Sequence, residues 1–342
     1  MELAGIEEKE KLLAKANRKE FRYDLSVLLA ASSLLIIIIY LGSGMPILLE
    51  ALETPFSRLV SSVNGITPDE ARAVYRDFIG SDTLSAVIDL IFYLLSLFLP
   101  FLFARAFLHR KPSCFYPVKA VLPKEPGKFI FFTFGFTLSM NLVCNLLLSR
   151  FYPELSSSGE ASLPALIISL IMAVIIAPLC EELIFRGVIF QSLLPYGTGF
   201  AVFTSSLVFA LAHRNPPQVI NAFFFGICLA IGFCKTRSVT VCVLLHLVNN
   251  AFSVATGYLL IKSENELLTV IISIGVIAVI SFAITAIFNA IASGKSRILF
   301  CDDYESPTPR ISAMQFASSL ASNFFFWFYV VIVIIGTAVL YR

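Results

Sequence analysis

Residues 165–180 carry no charge, and the run ends on two adjacent glutamates, in Cys180-Glu181-Glu182-Leu183-Ile184-Phe185-Arg186-Gly187. A carboxylate at bilayer depth costs several kcal/mol or is forced to neutralise, so such residues persist where they are paired or perform chemistry. Three ionisable groups within six residues after such a run are the best clue to what the chain does; the alternative is that all three are interfacial residues snorkelling to water.

The surroundings are those of a membrane protein. The chain is 58% hydrophobic and 14% charged, with a mean hydropathy of +0.86, against about 25% charged residues in soluble domains. Apolar runs near the ~20 residues needed to cross a bilayer fall at 25–41, 84–108, 129–148, 164–190, 200–212, 218–233, 239–260, 268–291 and 323–340. The fold class expected is an all-α polytopic transmembrane helix bundle with about 8–9 spans. The organisation read from these runs is a cytosolic tail over 1–24 and N-terminal transmembrane helices over 25–160 with a long loop at 43–83. A core at 161–260 and C-terminal transmembrane helices at 261–342 follow.

With the N-terminus inside, the inner segments hold 17 of the 25 Lys and Arg residues, as the positive-inside rule requires. Residues 1–24 lack the basic, apolar and small-residue order of a cleaved signal peptide. A net charge of +2 gives no reason to expect a nucleic-acid partner. The seven cysteines form no CxxC pair and read as small apolar residues. Within 43–83, Thr67-Pro68-Asp69-Glu70 has the form of a capping box with proline at the first helical position, so a short surface helix is predicted to start there. The acidic, proline-punctuated stretch 301–309 does not match a calcium-binding loop and reads as a solvated connector.

On a helix Glu182 and Arg186 are four residues apart and share a face, whereas Glu181 points about 100° away. The geometry predicts a Glu182–Arg186 structural pair, with Glu181 left for chemistry. Thirteen helical steps, about 20 Å, separate Glu181 from a turn at 195–198, and about 21 Å of the next helix leads to His213. The two meet at matching depth, with Phe209 one turn before His213 as a wall. In His246-Leu247-Val248-Asn249-Asn250, His246 and Asn250 share a face at a depth where polar groups need partners; Asn249 is offset and reads as a packing or capping amide. A glutamate beside a histidine can deprotonate a water, and a histidine and an asparagine amide can donate to an oxyanion. The same Glu181, His213 and His246 could instead hold zinc. No His-Glu-x-x-His or Gly-x-Ser-x-Gly motif is present.

The order Glu-Glu-x-x-x-Arg, Phe-x-x-x-His, His-x-x-x-Asn, carried here by Glu181, Glu182, Arg186, Phe209, His213, His246 and Asn250, resembles the CAAX-processing and bacteriocin-processing (CPBP) intramembrane proteases. The resemblance covers roughly 161–260. It implies an intramembrane endopeptidase in which Glu181 and His213 activate water while His246 and Asn250 serve the oxyanion. It also implies a peptide or protein substrate, lipidated or membrane-associated, and a multi-pass protein in the lipid bilayer. A non-catalytic immunity-type protein on the same fold and a proton-coupled transporter are the alternatives; the absence of an internal repeat weighs against the second. The loop at 43–83 and the span at 323–340 are not features the motif predicts.

Overall fold

The computed structural model describes residues 2–108, 133, 135–139, 162–262, 271, 275 and 311–340. The described residues are helical with no strand, as expected. In chain order the helices are α1 (Glu2–Ala51), α2 (Glu53–Asn64), α3 (Pro68–Ile79) and α4 (Asp82–Phe107). Next comes α5, which runs unbroken from Leu163 to Tyr196 but changes winding along its length. The remainder are α6 (Thr198–Leu211), α7 (Pro216–Thr236), α8 (Val239–Lys262), α9 (Ala313–Ala321) and α10 (Phe324–Leu340).

Among the described residues four helices are long and apolar enough to cross a membrane: α1 from Lys15, α4, α5 and α7 from Gln218. The α9–α10 pair, bent by 65°, makes a fifth if it is counted as one span. This is an integral membrane bundle. The expected spans at 129–148 and 268–291, and the connector 301–309, lie almost wholly outside the described residues.

The first span is longer than expected. A span over 25–41 and a loop from 43 are the expectation, yet α1 continues through Gly42, Gly44 and Pro46 to Ala51. Inside a bilayer a broken helix would leave backbone groups without water, so weak helix formers stay helical. Gly42 has a further use: a Cβ there would come within 2.6 Å of Phe92 Cβ, so only glycine admits α4 at this point. The rest of 43–83 is a two-helix hairpin. The expected capping box is present, with Thr67 accepting from the Glu70 amide and Glu70 accepting from the Thr67 amide at 2.8 Å.

One end of the bundle is marked by the Tyr196 hydroxyl, which donates to Asp24 across 2.8 Å. The other is marked by Asp82, which accepts from the Ser162 amide, and by the Thr83–Ser162 hydroxyl contact. Helix α5 runs between these ends. Two of its segments, Met172–Ile176 and Leu183–Phe190, are π-wound. Pro178 explains the first, because it has no N–H to give and its ring would strike the carbonyl a turn earlier. The Ala177 amide instead reaches back to Met172, leaving the Ala173 carbonyl without its helical donor.

Candidate functional site

The second π-wound segment carries Arg186 and begins directly after Glu182, and both side chains are fully buried. Arg186 Nη1 lies 3.1 Å from Glu182 Oε1, the pair the spacing predicts. Arg186 also donates through Nη2 to the Gly226 carbonyl at 3.0 Å, and its guanidinium sits 4.6 Å over the Phe209 ring. Gly226 is required for this approach: a Cβ there would fall 3.1 Å from Ser206 Cα and 3.2 Å from Phe209 Cδ1. Helices α5, α6 and α7 are thus joined around one desolvated cation, which a planar five-donor guanidinium suits and an ammonium would not.

Glu182 has a second partner. His246 Nδ1 lies 2.8 Å from the same Oε1. Against a carboxylate oxygen Nδ1 must be the donor, which leaves Nε2 of the neutral ring with its lone pair exposed. The ring is held edge-on between Phe209 and Phe225, at 5.8 and 5.1 Å between centroids. Nε2 then faces Glu181 Oε2 at 3.8 Å. That is too long for a direct hydrogen bond.

Glu181 is not left free. Its Oε1 accepts from the Tyr93 hydroxyl of α4 at 2.6 Å. Nothing in the sequence singled out Tyr93, one aromatic ring among many in the 84–108 run. Its only signal is that a tyrosine hydroxyl at membrane depth must find a partner.

His213 stands at the break between α6 and α7. Its Nδ1 lies 2.9 Å from the Phe209 carbonyl, and its ring packs on Phe209 at 4.9 Å. A carbonyl only accepts, so Nδ1 carries the proton and Nε2 keeps a lone pair, as in His246. Glu181 and His246 are the ionisable groups that act electrostatically on His213. Asn250 donates to the Ala173 carbonyl at 2.9 Å, the group that Pro178 deprives of a donor. Asn249 donates to Asn250 Oδ1 at 3.4 Å and fixes which way that amide faces. The structure therefore gathers Glu181, Glu182, Arg186, Phe209 and His246 tightly, sets His213 beside them, and gives Asn250 a backbone partner.

Among the described residues no three His, Cys, Asp or Glu side chains lie close enough to hold a metal ion.

Buried Glu182, Arg186 and His246 thus meet where α5, α6 and α8 join, with Glu181 and His213 beside them. The Type II CAAX prenyl endopeptidase Rce1-like family matches residues 163–252, the segment that holds every expected site residue. The membrane-embedded CAAX protease MroQ of Staphylococcus aureus (strain USA300) is 31% identical over 147 residues, covering 38% of this chain and 60% of that protein. The chain thus spans about three-fifths of the length of this curated relative. No solved structure matches the chain.

Proposed function

We infer that the protein is an intramembrane endopeptidase in which Glu181 and His246 share a water molecule. One observation carries this: Glu181 Oε2 and His246 Nε2 face one another across 3.8 Å, and a neutral imidazole that gives its Nδ1–H to Glu182 presents Nε2 as an acceptor. A water near that gap can donate one hydrogen to each. Removal of a proton by either group generates the nucleophile for a peptide carbonyl, and the proton later passes to the leaving amine. Tyr93 holds the carboxylate through its other oxygen.

The family resemblance pairs Glu181 with His213 for this step. The nearest imidazole is His246, so in our reading His213, with its own free Nε2, orients the substrate or relays the proton. The Asn250 amide keeps a second N–H beyond the one given to Ala173. That N–H is a donor to the developing oxyanion, joined by His246 Nε2 when that ring is the group that has taken the water's proton. The substrate is a peptide or protein segment, lipidated or otherwise held at the membrane, and residues 1–24 face the cytosol.

Wild type and Glu181→Gln, expressed in matched membranes, provide the test. Peptidomes of the two should differ by products missing from the variant, since loss of a general base costs about 10²–10⁴-fold. Identical peptidomes would sink the assignment. A parallel arm with a chelator separates this water chemistry from zinc chemistry: activity that disappears on chelation and returns only with metal would replace it.

A further inference from the structure

Hairpin α2–α3 holds a row of exposed apolar side chains. On α2, Leu52, Phe56, Leu59 and Val63 are spaced by four, three and four residues, which is one face of a helix. All four are exposed, Leu59 at 63% and Val63 at 73%. On α3, Val74 and Phe78 repeat the pattern one turn apart and are also exposed. The hairpin is nonetheless built rather than loose. Arg76 bonds Glu53 at 2.9 Å across the two helices, the Tyr75 hydroxyl donates to the Leu49 carbonyl at 2.7 Å, and the Phe56 and Tyr75 rings lie 4.6 Å apart. Thr54, Arg58 and Ser61 fall on the side of α2 opposite the apolar row.

Position along the bundle identifies what covers the row. From Asp24, bonded to Tyr196 at one end, 28 helical steps of α1 lead to Leu52, about 42 Å at 1.5 Å per step. That equals the roughly 40–45 Å of a bilayer including its headgroups. The far boundary is marked independently, because the chain returns from the hairpin into α4 at Asp82, beside Ser162 at the start of α5. The hairpin therefore leaves and re-enters the bundle at the headgroup level. Segment 53–81 carries Arg58, Arg72 and Arg76 against Glu53, Asp69, Glu70 and Asp77, so attraction to anionic lipid contributes nothing and apolar burial must do the holding.

We propose that α2–α3 lies flat in the headgroup–acyl boundary of the leaflet at the Ser162 end, with Leu52, Phe56, Leu59, Val63, Val74 and Phe78 turned into the lipid. The lipid chemistry recognised is the acyl boundary itself, independent of headgroup charge. This does not rest on the peptidase reading.

Full-length protein with its single tryptophan removed by Trp327→Phe, then given Leu59→Trp, Val63→Trp or Ser61→Trp, tests this in phosphatidylcholine vesicles. Bromine atoms on the acyl chains near the headgroup should quench the Leu59→Trp and Val63→Trp emission about twofold, as for an apolar face sunk ~5–10 Å below the surface. Aqueous iodide should leave both nearly untouched and quench Ser61→Trp. The same pattern is expected in vesicles containing anionic lipid. Iodide quenching of the Leu59→Trp and Val63→Trp signals would place the row in water and overturn the proposal. Quenching of these two by neither agent would mean the row is covered by protein, a second copy included, and would also overturn it.

Discussion

The Tyr93 hydroxyl donates to Glu181 across 2.6 Å, so a residue seventy positions before the matched segment holds the carboxylate on which the proposed chemistry depends. A hydrogen bond to a charged group contributes about 1.5–3 kcal/mol. Tyr93→Phe should lower turnover about 10- to 100-fold on that scale, with KM little changed and the protein still folded. Single-turnover rates on a substrate found by the peptidome comparison would check this; an unchanged rate removes Tyr93 from the mechanism.

Breaking the buried ion pair should be costly in stability. Glu182→Gln leaves Arg186 with an uncompensated charge, and breaking such a pair costs about 3–5 kcal/mol. Thermal unfolding in detergent should show the loss, and Glu182→Met with Arg186→Met should lose less than the two single changes added together. Arg186→Lys should not rescue, because it forfeits the Gly226 contact and the stacking on Phe209.

Asn250 and Pro178 are coupled through the Ala173 carbonyl. Asn250→Leu strands that carbonyl, at a cost of about 1–3 kcal/mol. In a Pro178→Ala background the helix regains a backbone N–H, so the cost of Asn250→Leu should shrink toward zero. Equal costs in both backgrounds would show that Asn250 does not serve the π-wound segment.

The hairpin should respond to acid at one place. Hydrogen bonds to Glu70 from the Thr67 amide first, then from its hydroxyl, hold its carboxyl below the usual range. The folded state thus favours the ionised form, and this contribution is present above the unfolded pKa and lost as pH falls through the lowered folded value. Protection of the Glu70 and Ala71 amides, measured as exchange relative to the intrinsic rate at each pH, should fall on acidification, and Thr67→Ala should give the lowered protection at neutral pH as well.

Local spacing made much of this legible. Glu182 with Arg186 and Thr67 with Glu70 follow from helical periodicity and capping chemistry, and both are found. Tyr93 was not legible because its partner is 88 positions away and its own run has no polar period. The π winding escaped because Pro178 was read only as part of an apolar run, although a proline inside a span always leaves a carbonyl to satisfy. The extent of α1 exceeds the apolar run 25–41 because Gly42, Gly44 and Pro46, breakers in water, stay helical where α4 and the bilayer leave them no water to bond.

Helix α10 explains one feature the motif leaves aside. Its Tyr329 hydroxyl donates to the Val208 carbonyl at 3.0 Å, and its Thr337 hydroxyl to the Arg214 carbonyl at 2.8 Å. Arg214 is in the left-handed region at φ 59°. The two bonds flank His213 and span 121 and 123 positions of chain. During synthesis, then, the histidine is made long before the hydroxyls that settle its backbone. A nascent chain cannot assemble this corner of the bundle until α10 has entered the membrane, so the ribosome's progress becomes a timer on the site.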